Sequence, residues 1–269
     1  MARINLCLLT TVMLFCILTL NGCIGEEEIR EEIIESLSNI KSYSYNVETK
    51  IVTQSEKHSR TIELKRKANI DINGERAIIV IERYQTELYA KKETSTKAQR
   101  YIINNMEYNF NKGNGWVKNK ISENRWYDED KVRTQMDLVL KSKIEKLKDD
   151  KIGDIDCYLI RTKPDEREFW ILIMEQEEEH PLIKLLNLDY DNIVKGMDMK
   201  IWVDKRTFLP IKCIMKLRAV IQKPIMKESF NMKIDIHTVY TYYNYNTLMT
   251  IELPDEAKKA RIYNEFEDE

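Results

Sequence analysis

Cysteine offers the most chemistry in this 269-residue chain. There are five, and their surroundings differ. Cys7 and Cys16 lie within an apolar run from Ile4 to Leu20, behind a single basic residue, Arg3. Cys23 follows that run directly, after Asn21 and the small Gly22. Those parts, in that order, make up a secretory signal with its cleavage point. Cys157 and Cys213 sit instead in strand-like apolar segments, Ile155 to Ile160 and Ile211 to Met215. An exported chain permits them a disulfide. Two buried free thiols are the other reading, since a free Cys packs as a small apolar residue. Both stay open, because a bridge requires a Cα separation that only tertiary structure supplies.

The other reactive residue types are scattered. His58, His180 and His237 show no metal-ligand spacing with one another or with a Cys. The sequence has no Gly-rich phosphate loop, no nucleophile elbow and no HExxH string. The run from Glu175 to His180 reads as a divalent-cation site or as a solvated acidic helix end, and charge runs favour the second. No catalytic residue, metal or cofactor is therefore assigned, and the chain is read as a non-enzyme. With 43 Lys+Arg against 45 Asp+Glu the formal charge is −2, without the basic surplus of a general nucleic-acid binder. A mean hydropathy of −0.50 argues against a polytopic membrane protein, and 43% hydrophobic residues against a disordered one. Heavy use of Lys, Glu and Ile suits a protein made for high temperature.

Leu20-Asn21-Gly22-Cys23 resembles the lipobox of prokaryotic lipoproteins, although Asn21 stands where a smaller residue is usual. The resemblance implies removal of residues 1–22 and a lipid on Cys23, which would anchor the chain to the outer face of the cell membrane. One acyl chain gives marginal anchoring, so a multi-chain lipid is expected. Residues 23–28 then form a short polar tether, and 29–269 one domain, because no Pro/Ser/Gly-rich linker interrupts them.

The elements that would position any site follow from periodicity. Ile29, Ile33, Leu37 and Ile40 mark one face of a helix from Glu26, with acidic residues in its first turn. Period two then takes over. Strands are predicted around 43–52, 61–65, 68–72 and 77–89, with Asn73-Gly74 as a hairpin turn. A further hairpin follows at Asn104-Asn105, then a Gly turn into Trp116. Val132, Met136, Val139, Leu140, Ile144 and Leu147 predict a helix over 128–148. The segment 165–179 fits a strand or a helix, and its acidic ends favour a helix. A second helix is expected from Leu182 to about Val194, closed by Gly196, and strands at 199–204, 209–220 and 227–245. Residues 252–263 read as a polar tail.

This order calls for an α+β fold in which a strongly curved antiparallel sheet wraps around a few helices. It resembles the half-barrel of the LolA and LppX-like lipoproteins, including their archaeal "outer membrane lipoprotein-sorting protein" relatives. The strings that carry the likeness are Ser36 to Tyr43, Tyr108-Asn109-Phe110 with Gly115-Trp116-Val117, Ile201 to Lys212, and Tyr243 to Ala257. The resemblance implies an apolar cavity between sheet and helices, holding a lipid or other hydrophobic ligand. Trp170, Met174, Met199, Trp202 and Met215 are the candidate lining, because flexible thioethers adapt to irregular apolar partners. Plain core filling explains the same residues. Tyr240, Tyr242, Tyr243 and Tyr245 read as a ligand mouth or as ordinary strand residues. The alternative function is a structural, sensor or protein-interaction module at the cell surface.

Overall fold

The computed structural model describes residues 24–262 apart from 57, 89, 112–114, 122–129, 176–192 and 226–227. Cys23 and the segment before it lie outside the described residues, as does most of the helix expected from Leu182.

Two meanders form a single open, curved sheet. The first contains β1 (Ser42–Ser55), β2 (Ser59–Asp71), β3 (Arg76–Glu87), β4 (Lys92–Ile103), β5 (Met106–Asn111) and β6 (Gly115–Lys120). The second contains β7 (Lys143–Lys146), β8 (Asp150–Ile152), β9 (Ile155–Lys163), β10 (Val194–Asp204), β11 (Pro210–Ile225) and β12 (Glu228–Tyr243). Each meander is antiparallel, as period-two sequence with tight turns requires. The two halves join where β1 pairs with β12, from Ser44↔Tyr243 to Ser55↔Met232. At the Asn73-Gly74 turn Asp71 Oδ1 accepts from the Gly74 N–H at 3.1 Å. A Cβ on Gly74 would stand 2.3 Å from Asp71 Oδ2, so a side chain there would have to displace that carboxylate.

Among the described residues four helices accompany the sheet: α1 (Glu26–Ser38), α2 (Lys131–Lys141), α3 (Glu166–Glu175) and α4 (Asp255–Lys258). The apolar stripes of the first three enter one core with the sheet, through Ile29 and Ile33, Val132 and Met136, Phe169 and Trp170. The segment open to two readings is thus helical at α3.

Three expectations are corrected. The helix predicted over 128–148 stops at Lys141. Ser142 is extended, and Lys143–Lys146 pairs with β9 as β7, burying Ile144 there. Apolar spacing at 144 and 147 suits either element, and strand pairing decides it. Gly196 closes no helix, because it lies within β10 at a register shift against β11. The C-terminal segment is docked rather than a free tail. Ile251, Ala257 and Ala260 are buried, and β13 (Arg261–Ile262) pairs in parallel with the β6 edge. That strand covers hydrogen-bonding groups that an edge would otherwise expose.

Candidate ligand face

Side chains directly opposite in a ladder share a sheet face. The registers therefore trace rows across the side that meets the helices. One row runs Ile160, Ile201, Cys213, Tyr240, Val47, Arg66 and Ile81. The next runs Met199, Met215, Thr238, Thr49, Leu64 and Arg83. Along both rows, burial changes at the same place. Everything from β10 to β1 is buried, whereas Leu64, Arg66, Ile81 and Arg83 are half-buried.

The sealed half is closed by helix docking. The Tyr43 hydroxyl donates to Asp130 Oδ1 at 3.0 Å, and Asp130 also caps α2 by accepting from the Arg133 N–H at 3.3 Å. The Tyr242 hydroxyl donates to Gln135 Oε1 on the same helix. Arg30 of α1 donates to the carbonyls of Leu140 and Ser142, the latter at 2.9 Å, which ties α1 to the end of α2. Tyr240 and Tyr242 stack with centroids 5.8 Å apart, and Tyr43 and Tyr45 with centroids 6.1 Å apart. Burial raises the hydroxyls of Tyr43, Tyr240 and Tyr242 well above their ordinary value, so these tyrosines act as neutral anchors for the helix layer.

Asp130 yields a test of that joint. Burial raises its carboxyl, ahead of the opposing Arg133 N–H and Tyr43 hydroxyl. The folded chain thus holds this proton more tightly than the unfolded one. The resulting stability is present below the ordinary Asp range and is lost as pH rises through the raised value. Asp130→Asn keeps a cap and an acceptor for Tyr43. It is expected to lie within about 1 kcal/mol of wild type near neutral pH and to flatten the pH dependence. Asp130→Ala loses both roles and is expected to cost about 2–4 kcal/mol. Urea melts from roughly pH 4 to 7 compare the two.

Past the sealed half, Val47, Thr49, Leu64, Arg66, Ile81 and Tyr240 line a pocket of about 290 Å³ counted to its open mouth. It is shallow and opens to solvent. Its floor is the Thr49–Thr238 hydroxyl pair at 3.2 Å and the buried Val47 and Tyr240. The Arg66 charge acts on the Tyr240 hydroxyl and partly offsets the effect of burial.

The residues singled out from sequence separate by position. Met199 and Met215 are fully buried partners in the sealed half, and Trp170 is buried in the same core. The side chain of Met174 lies outside the described residues. Trp202 stands on the opposite face from Met199 and Ile201. There its Nε1 donates to Asp150 Oδ2 at 2.8 Å, and Lys212 Nζ lies 5.2 Å from the ring centroid. Alternation along β10 turns it away from the helices, so it does not share a cavity with the methionines. Tyr240 does line the pocket, while Tyr243 is exposed and Tyr245 donates to the Pro210 carbonyl at 2.7 Å. Cys157 and Cys213 are both free and buried. They pair with Asp204 and Ile201 on opposite sides of β10, so two strand spacings of about 4.8 Å and a three-residue offset separate them. A disulfide tolerates no such span. Burial pushes the Cys213 thiol up, away from its reactive thiolate.

Leu64, Arg66 and Ile81 were not singled out from sequence, although a signal was there. Ile62, Leu64, Ala68 and Ile70 hold the apolar phase of β2, and Arg66 occupies the same phase. An arginine at an inward position interrupts the alternation.

Among the described residues no group of three or more His, Cys, Asp or Glu could hold a metal ion. Of the run from Glu175 to His180, residues 176–180 lie outside the described residues. Among the described residues no helix is long and apolar enough to cross a membrane.

The profile of a family described as "Family of unknown function (DUF6612)" matches residues 25–261. No curated protein matches the sequence. Among solved structures the chain is similar to the lipoprotein LppX of Mycobacterium tuberculosis, at 8% identity and a TM-score of 0.44 over 85% of this chain and all of that one. It is also similar to LprF of Mycobacterium bovis, at 12% identity and a TM-score of 0.45 over 86% of this chain and 99% of the other. A putative outer membrane lipoprotein-sorting protein domain from Vibrio parahaemolyticus matches at 12% identity and a TM-score of 0.28, over 87% and 98% of the two chains.

Proposed function

We propose, for a chain that belongs to the family of unknown function DUF6612, that it is a lipid-anchored extracytoplasmic lipoprotein whose sheet binds the apolar chain of an amphiphile on its helix side. The sheet then works as a half-barrel of the LolA and LppX kind, with no chemical step. Leu20-Asn21-Gly22-Cys23 supports the anchor, fixing the domain to the membrane that supplies the ligand.

The observation that carries the binding reading is the change along the helix-side rows. Apolar side chains continue past the sealed core onto β2 and β3, and there Leu64 and Ile81 stay half-buried beside a pocket. A strip that merely completed a core would be closed like the other half. Covering about 300 Å² of apolar surface gives roughly 7 kcal/mol before association costs of about 4 kcal/mol or more, so that contact alone supports binding in the millimolar range.

Native mass spectrometry of the full chain purified from its own membranes, followed by lipid extraction, tests this reading. A stoichiometric bound amphiphile is expected. A clean protein mass, together with no saturable binding of a fluorescent fatty acid, would overturn it and leave a membrane-tethered interaction module.

A further inference from the structure

We infer that Arg66 and Arg83 receive the anionic head group of the bound amphiphile, a carboxylate or phosphate, while Leu64, Ile81 and Val47 meet its chain. This inference rests on the binding reading above and names the class of ligand.

Placement is the first argument. Arg66 lies opposite Val47 and Ile81, and Arg83 lies opposite Leu64. The two arginines are therefore diagonal neighbours on the helix-side face, in reach of one group. Arg66 lines the pocket itself. A ligand whose chain covered Leu64 and Ile81 would end against these guanidinium groups.

The kind of cation is the second argument. On the outer face of β1 to β4 the basic residues are lysines, at 50, 65, 67 and 97, apart from Arg76 at the very start of β3. Two of them sit in surface ion pairs, Lys50–Glu63 at 3.2 Å and Lys97–Glu82 at 2.9 Å. Such pairs keep a surface solvated and contribute little else. On the helix side, β2 and β3 carry arginine alone, at 60, 66 and 83. Arginine is the residue suited to a partly dry site and to two-pronged capture of a carboxylate or phosphate.

Neighbouring groups narrow the pair. Arg100, on the same face, is buried in an ion pair with Glu107 at 3.1 Å, and Arg60 donates to Gln85, which donates on to Glu87 at 2.6 Å. Neither of those two stands opposite Leu64 or Ile81, as Arg83 and Arg66 do. Arg66 and Arg83 have protein partners as well, and a guanidinium with five N–H donors can hold a protein acceptor on one edge and a ligand on the other.

The test titrates the full chain in a non-ionic detergent with dodecanoate, dodecanol and inorganic phosphate, read by native mass spectrometry. Partition into detergent is common to all variants and cancels in their ratios. Wild type is expected to prefer dodecanoate over dodecanol by about tenfold. In Arg66→Gln/Arg83→Gln that preference is expected to vanish, chiefly through loss of dodecanoate binding. Arg66→Lys/Arg83→Lys keeps the charge without the fork and is expected to fall between. It also serves if the Gln pair does not fold. Equal binding of the two ligands to wild type would overturn the head-group assignment and leave chain binding intact. Phosphate alone competing as well as dodecanoate would overturn the amphiphile in favour of a simple anion site. Binding of neither ligand would overturn both readings.

Discussion

Replacing either member of the Arg100–Glu107 pair alone is expected to cost about 3–5 kcal/mol. The two side chains are 4% and 6% exposed, and they meet at 3.1 Å on the helix-side face where β4 pairs with β5. Glu107 lies opposite Ile102, within the apolar phase of that face. Taking one partner away leaves the other charged in a dry place. Each also makes further contacts that a single substitution would break. Replacing both, as Arg100→Met/Glu107→Leu, removes the charges together and is expected to restore most of the loss, because desolvating an ion pair offsets much of its attraction. For a chain of this size the single variants should melt roughly 6–20 °C lower. Urea denaturation of the four members of the cycle measures the coupling. A single-variant cost below about 1 kcal/mol would show that water reaches the pair. The exposed pairs Lys50–Glu63 and Lys97–Glu82 provide the contrast, since each is expected to contribute about 0–1 kcal/mol and to weaken with salt.

Cys23→Ala is expected to abolish lipid attachment altogether. Wild-type chain recovered from membranes should give a tryptic N-terminal peptide running from Cys23 to Arg30, carrying the mass of a multi-chain lipid. The variant should carry no such mass, whether or not residues 1–22 are removed. The domain beyond the tether should melt as wild type does, because the core begins at Ile29. An unmodified Cys23 peptide from membrane-extracted wild type, or a mature N-terminus elsewhere, would remove the anchor from the proposed function. Binding of an amphiphile by the sheet could still stand, so the two experiments examine separate parts of the reading.

The sequence alone specified the local order of this protein. The apolar spacing of Ile29, Ile33 and Leu37 forms α1 because side chains three and four apart share a helix face, and that rule needs no partner. The turns at Asn73-Gly74 and Asn104-Asn105 form hairpins for an equally local reason, since polar and small residues accept tight turns that strand residues resist; the left-handed positions are Glu75, with φ 48°, and Asn104, with φ 54°. Strands with alternating faces, few helices and no motif for catalysis were all legible at that level. Tertiary structure decided matters that depend on distant partners. Ile144 fits a helical or a strand phase, and only β9 beside it selects the strand. Residues 251–262 look polar in sequence and dock because the β6 edge offers an unpaired ladder. Cys157 and Cys213 read as a possible bridge until β10 is seen to run between them. Trp202 falls on the face away from Met199 through the parity of a single strand. The site itself lies furthest from local reading. Arg66 and Arg83 come from different strands and become neighbours only through the β2–β3 register, while the boundary between sealed and half-open halves is set by where α1, α2 and α3 pack. Periodicity assigns each side chain to a face, and long-range packing determines which part of that face remains within reach of a ligand.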